Sequence, residues 1–276
     1  MLPGIVVGGL VALVVIGWIG LQIKPAPFPA YPQRATTFET VPLPEGLPGP
    51  VERYYRTILD EPRWDAPVEV PVIESAVITG TGRLRVMGIT FPARLRFTHD
   101  AGQGYRHYIE ATLFGQPLMK VNERYLDGRG VMELPFGTIE NEPKIDSAAN
   151  LGLWGESIWL PTIFLTDPRV RWEAVDETHA RLIVPFADGE EVFTVTFGAE
   201  TGLITEMEAM RWKDANAETK TRWVLQIYGW KTFNGILLPS PAGVVWEDEG
   251  TPWLVVELTD VALNADISAY IRGRGL

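Results

Sequence analysis

The sequence predicts a mainly β (α+β) protein. The expected body is a strongly curved antiparallel sheet, a half-barrel of about ten strands, with a central helix covering its concave face and a transmembrane helix ahead of it. Three observations carry this. Two long regions, about 68–135 and 169–263, alternate apolar and polar residues between regularly spaced turn signals. One apolar stretch, AANLGLWGESIWLPTIFL (148–165), separates them with a helical period. A third stretch, IVVGGLVALVVIGWIGLQI (5–23), carries no charge at all.

The uncharged N-terminal stretch is about 28 Å long as a helix, close to the thickness of a bilayer core. It lacks the basic start, short apolar core and small-residue cleavage site of a removable signal. It therefore reads as a retained single-pass anchor, with Trp18 and Lys24 suited to the two interfaces. GIVVG (4–8) matches a helix-pairing pattern, and equally the small residues common in any span. Lys24 and Arg34 follow the span and no Lys or Arg precedes it, which by charge alone leans toward a cytoplasmic body.

The expected organisation is an anchor over 1–24, a proline-rich linker over 25–49, a half-barrel over 50–267 and a tail over 268–276. The linker reads PAPFPAYPQ and then VPLPEGLPGP; such composition favours extended polyproline II, a semi-rigid spacer. PVERYYRTILD (50–60) has Pro at a first helical position and Val51, Tyr54, Tyr55, Ile58 and Leu59 on one face, which predicts an amphipathic helix. In YRHYIEATLF (105–114), Tyr105, His107, Ile109, Ala111 and Leu113 share one face of a strand. Asp127-Gly128, Asp188-Gly189, Thr201-Gly202 and Asn234-Gly235 mark hairpin turns.

For the central stretch, Asp146 or Ser147 is the expected N-cap and Pro161 the expected stop. About 13 residues, roughly 20 Å, are too few to span a bilayer. Leu151, Trp154, Ile158 and Trp159 lie together, with Leu153, Glu156 and Leu160 adjoining. A helix apolar around so much of its circumference is buried on more than one side. It is either a plain core helix or a lid over an apolar cavity. Glu156 among Trp and Leu is a desolvated carboxylate. It either marks a site or pairs with an arginine of the sheet, such as Arg83, Arg85, Arg94 or Arg96.

Composition excludes several classes. The net charge is −11, against nucleic acid as a partner. There is no cysteine, hence no disulfide, thiolate metal site or lipidated Cys. The three histidines, His99, His107 and His179, show no metal-binding spacing and read as surface or satisfied core groups. The five serines lie in no nucleophile elbow, and no phosphate-binding glycine loop occurs. No cofactor, metal or catalytic residue is therefore expected. Trp212, Trp223, Trp230, Trp246 and Trp253 fall in the last strands. They can line a cavity, form an interface or fill a core.

Four motifs in order, GLPGPVERYYR (46–56), WGESIWLPTIFL (154–165), VRWEAVDETHARL (170–182) and FNGILLP (233–239), resemble a bacterial family that shares a domain of unknown function. That family's helix reads Glu-x-x-Trp-Phe-Pro; here Glu156, Trp159 and Pro161 match and Leu160 replaces the aromatic. Its late hairpin begins with Asp where this chain has Asn234. The resemblance implies a fold similar to the lipoprotein carrier LolA, in which a curved sheet wraps helices around a hydrophobic cavity. It also implies an extracytoplasmic body, and it carries no catalytic residue.

The expected function is a non-catalytic, membrane-anchored binding protein for a lipid or other hydrophobic ligand, lined by Leu151, Trp154, Glu156, Ile158, Trp159 and Trp223. The alternative is an accessory or structural subunit of a membrane protein complex, its cavity filled by its own side chains. A hydrolase using Glu156 is the distant third.

Overall fold

Alternation of period two over 75–140 and 171–263 builds one sheet, and the helix-period stretch between them crosses it. The computed structural model describes residues 2–32, 35, 37–59 and 67–275, with side chains from Gly8 onward. The chain begins with α1 (Leu2–Gln22), β1 (Thr40–Pro42), α2 (Gly49–Ile58) and β2 (Glu69–Pro71). A first meander follows: β3 (Ser75–Val86), β4 (Ile89–Asp100), β5 (Gly104–Leu113), β6 (Gln116–Leu126), β7 (Arg129–Leu134) and β8 (Gly137–Glu140). Next come α3 (Pro143–Glu156), a 3-10 turn (Ser157–Trp159) and the short α4 (Ile163–Thr166). The second meander is β9 (Arg171–Ala174), β10 (His179–Phe186), β11 (Gly189–Phe197), β12 (Ile204–Arg211) and β13 (Thr221–Ile227). A hairpin, β14 (Trp230–Phe233) and β15 (Ile236–Pro239), precedes β16 (Ala242–Trp246), β17 (Pro252–Leu263) and α5 (Ser268–Ile271).

Among the described residues, the main sheet has 13 strands in the order β8-β7-β6-β5-β4-β3-β17-β16-β13-β12-β11-β10-β9. This exceeds the ten expected, because a short edge strand such as β8 carries too few residues to show a period, whereas β9 falls on the alternation of 169–176. Neighbouring strands pair antiparallel. The last strand, β17, enters the middle and joins the two meanders, pairing with β3 on one side and β16 on the other. The sheet stays open, with β8 and β9 as its edges.

α2 buries Val51, Tyr54, Tyr55 and Ile58 as its spacing predicts. The Tyr55 hydroxyl donates to the Pro161 carbonyl (2.8 Å), tying α2 to the end of the central helix. α3 starts earlier than expected, at Pro143. Neither Asp146 nor Ser147 caps it; the cap position is Glu142, with no side-chain hydrogen bond. Asp146 turns outward to the sheet instead, accepting the Gly130 N–H (2.7 Å) and the Arg129 guanidinium (3.0 Å).

Two further expectations are corrected. Residues 25–32 do not stand off the body as a spacer; they lie on the convex face. The Phe28 ring sits under Arg94 (4.6 Å) and Arg96 (5.2 Å), and the Tyr31 hydroxyl donates to the Asp266 carbonyl (2.8 Å). The aromatic residues between the prolines supply the adhesion that composition alone conceals. The C-terminal tail is likewise docked: Ile267 and Ile271 join Val77, Ala262 and Ala265 in a second small core.

The seam between β3 and β17 depends on glycine. A Cβ on Gly82 would run into the Val255 carbonyl, and one on Gly80 would meet the Glu257 carbonyl at 2.6 Å. Backbone oxygens of a central strand cannot step aside. Gly82→Ala is expected to destabilise the fold by about 1–3 kcal/mol through overpacking. Gly189→Ala, whose Cβ would meet only the Phe186 carbonyl at 3.7 Å, is expected to stay within about 0.5 kcal/mol. Chemical denaturation of the two variants beside the parent checks both.

Candidate functional site

On the concave face, alternation presents Phe97 and His99 from β4, Tyr105 and His107 from β5, and Glu123 and Tyr125 from β6. The register places His99 opposite Tyr105 and Phe97 opposite His107. α3 lies over this patch and ends with Glu156 pointing at it. The Glu156 Oε2 atom is 3.0 Å from His107 Nε2. The Tyr105 ring stacks on His107 at 3.9 Å and 17°, and the Phe97 ring lies 4.1 Å from the same imidazole. The Tyr105 hydroxyl donates to Glu123 (2.5 Å).

All three groups are buried: His99 at 0%, His107 at 3% and Glu156 at 9% exposure. Burial pushes the Glu156 carboxyl up to about 8, although the nearby Arg211 cation pulls it down. Burial drives His107 down to about 3, helped by Arg211 and opposed by Glu123. It also holds His99 well below the usual imidazole range, with His107 adding to the effect. Burial thus favours the neutral form of both groups across this short contact, against an ion pair. Among the described residues, both His99 ring nitrogens, His107 Nε2 and Glu156 Oε2 are buried without a hydrogen-bond partner.

The expected partners of Glu156 are elsewhere. Arg83, Arg85, Arg94 and Arg96 belong to the convex face by strand parity. Arg85 binds Glu249 (2.5 Å), Arg94 binds Glu110 (2.7 Å), and Arg96 donates to the Pro29 carbonyl (2.8 Å). The two interior histidines are not surface groups. Their signal was parity: 99, 105 and 107 are all odd and sit on one hairpin face, a relation that linear metal-site spacings do not test.

The six residues read as a ligand lining, Leu151, Trp154, Glu156, Ile158, Trp159 and Trp223, are all buried. They are packed against protein. Trp159 Nε1 donates to the Pro239 carbonyl (3.0 Å) and its ring faces Phe97 at 5.8 Å. The Trp223 ring fills the space beside Gly155, where an added Cβ would meet it at 2.8 Å. Arg211 lies over Trp223 (4.5 Å) and donates to the Ala148 carbonyl (2.9 Å). One cleft, about 460 Å³, opens beside α3 and is lined by Asp100, Asp127, Trp154, Arg169 and Arg272. A smaller one, about 200 Å³, reaches Glu123, Arg211, Trp246 and Trp253.

A second candidate lies at one end of the first meander. The β3–β4 and β5–β6 connections are two-residue turns with both residues at positive φ, Met87 (49°) with Gly88 (80°) and Phe114 (53°) with Gly115 (71°). This turn type favours Asn or Asp in the first position. The chain obeys that rule at Asp127-Gly128 and Asn234-Gly235. Met87 is 93% exposed, Phe136 in the β7–β8 turn 88%, and Ile89, Phe114 and Leu118 are also exposed. The base of α1 docks at this end: the Phe114 N–H donates to the Gly20 carbonyl (3.0 Å), and Gly20 packs on Leu113 and Phe114. From Leu10 to Ile19 the large apolar side chains of α1 are exposed. Among the described residues, no helix is long and apolar enough to cross a membrane.

Residues 36–258 match the model of the family of unknown function DUF6544, and the chain belongs to that family. Three crystal structures are similar to the chain at low scores. One is a DUF1329 family protein from Desulfovibrio piger: 14% identity, TM-score 0.43, 81% of this chain and 97% of that chain covered. Another, from Vibrio parahaemolyticus, is described as an outer membrane lipoprotein-sorting protein domain: 11% identity, TM-score 0.39, 70% and 86% covered. The third is a LolA superfamily protein from Nitrosomonas europaea: 10% identity, TM-score 0.46, 81% and 96% covered. No curated protein matches the chain.

Packing of the helix end against the sheet predicts a graded response. Trp159→Ala is expected to cost about 3–5 kcal/mol, the range for an excavated aromatic core position. Trp159→Phe keeps the ring contact with Phe97 but leaves the buried Pro239 carbonyl without its donor. It is expected to cost about 1–3 kcal/mol. Urea unfolding followed by tryptophan fluorescence checks the order.

Proposed function

We propose that this chain is a membrane-anchored, non-catalytic protein that works at the bilayer surface. In this reading α1 enters the bilayer, and the apolar turn tips at Met87, Phe114 and Phe136 lie against lipid. One observation carries the reading: the hydrogen bond from Phe114 to Gly20 joins the base of an apolar helix to the exposed apolar end of the sheet. Exposed apolar side chains clustered at one end mark a surface that meets another apolar phase. The adhesion of residues 25–32 to the convex face supports the same view, because it keeps the body close to its anchor. The hydrophobic species bound is then bilayer lipid at the rim, while the concave face is filled by α3 and the three tryptophans. An interior lipid ligand would require α3 to move. Docking as a subunit of a membrane complex is the second reading, and it would cover the same turns with protein.

Membranes from cells producing the full chain test the anchor. The chain is expected to stay in the pellet after alkaline carbonate washing, and its release into the supernatant would remove this reading. The chain lacks cysteine, so single Cys residues report position cleanly. With the full chain in phosphatidylcholine vesicles, a fluorophore on Met87→Cys or Phe136→Cys is expected to be quenched by nitroxide-labelled lipid. One on Asp127→Cys, at the other end of β6 in the same turn type, is expected not to be. Equal quenching at all three would sink the rim. Asp188→Cys is expected to react with an impermeant maleimide on intact cells if the body is extracytoplasmic.

A further inference from the structure

We propose that His99, His107 and Glu156 form a binding site for one divalent first-row transition metal ion, with Zn²⁺ the ion that suits the donors. The three come from three elements, β4, β5 and α3, and converge under the helix end. One donor atom from each lies within 4.8 Å of the others. Two imidazoles and one carboxylate are a recurrent zinc donor set, and they leave a fourth position for water or another ligand. With bonds of about 2.0–2.1 Å, tetrahedral ligands sit roughly 3.3 Å apart. Closing the site therefore asks for about an ångström of side-chain movement.

The second observation is the state of the donors. His99 is fully buried, and among the described residues neither ring nitrogen has a hydrogen-bond partner. An imidazole left so costs about 1–3 kcal/mol per unsatisfied group, and such a group in a native interior calls for an explanation. His107 Nε2 and Glu156 Oε2 approach to 3.0 Å, yet neither has a hydrogen-bond partner among the described residues, and a metal ion explains all three. The remaining histidine does not compete: His179 is half-buried and bound to Asp176 at 2.9 Å.

The surroundings suit a cation in part. Glu123 is hydrogen-bonded by Tyr105, whose ring stacks on His107, and it lines the small cleft with Arg211. That cleft reaches Glu123, the residue opposite His107 on β6. Arg211 is the opposing charge near the site, and Glu123 offsets it. The inference does not depend on the membrane reading, since the donors lie inside the half-barrel and far in sequence from α1.

The test uses the full chain in detergent, stripped with a chelator and titrated with Zn²⁺ against a chromophoric competitor, and separately with Co²⁺. One tight site is expected, with the visible absorption of tetrahedral Co²⁺. Loss of an outer-sphere partner alone weakens metal binding by 10–100-fold. His99→Gln, His107→Gln and Glu156→Gln, each removing a ligand, are thus expected to weaken Zn²⁺ binding by at least about 100-fold, while His179→Gln leaves it unchanged. Near-UV circular dichroism identifies which variants are folded, and any one folded variant suffices for the comparison. Zn²⁺ is also expected to raise the Tm of the parent but not of His99→Gln. The proposal is overturned if the folded parent binds neither ion, if binding survives in the folded ligand variants, or if it is lost in His179→Gln.

Discussion

The structure depends on a helix that has no polar face. Every residue of α3 from Ile145 to Glu156 is buried. An amphipathic helix can rest on a flat sheet with its other side in water, whereas this one needs walls around its circumference. The topology supplies them. One meander forms the wall before the helix, a second forms the wall after it, and β17 joins the two along the centre of the sheet. The joint has to be close enough for the walls to curve, which is where Gly80 and Gly82 admit the carbonyls of β17.

Burying the whole helix also buries its polar residues, and these fix its position. Asp146 holds the β7 backbone at Gly130. Ser147 donates to Glu191 (2.8 Å), itself buried, and Asn150 donates to the Pro185 carbonyl (3.1 Å) while accepting from Tyr125 (3.3 Å). Glu156 meets His107. These contacts run from the first meander to the second, so a slip of α3 by one residue would strand several buried polar groups at once. An apolar plug could rotate in its groove; this one is registered by hydrogen bonds whose loss is expensive.

Much of this was legible beforehand. Strands with clean alternation and turn pairs, such as 105–113 flanked by glycine, are set by local chemistry and were readable. So was the burial of 148–165, because no arrangement hides such a stretch on one side. The edge strand β8 was not, since four residues hold two periods at most. The adhesion of Phe28 and Tyr31 was hidden because proline-rich composition reports the backbone and says nothing of what the aromatic residues meet. The interior cluster was partly legible. Glu156 stood out as a charge among apolar neighbours, but its partner depends on which hairpin face lies beneath α3. Strand parity groups His99 with His107, and only the tertiary placement of α3 brings Glu156 to them.

The two ends of the first meander show how a sheet can meet two environments. Its turns share a backbone conformation but differ in composition. At the Asp127-Gly128 end the left-handed position holds a residue whose short polar side chain tolerates it, and water surrounds it. At the other end Met87 and Phe114 hold the same conformation, where bulky side chains are disfavoured. Exposure to water adds a second penalty, since a fully exposed Met or Phe forgoes about 1.5–3 kcal/mol of burial. Neither penalty serves the isolated domain, because Asn or Asp would relieve both. The two are offset together if that end faces an apolar phase. The segment hydrogen-bonded to Phe114 is the base of α1, itself a helix of exposed apolar side chains. On the proposed reading, strain at the turns and exposure on the helix are two signs of one boundary, drawn across the end of the sheet where the polar environment stops.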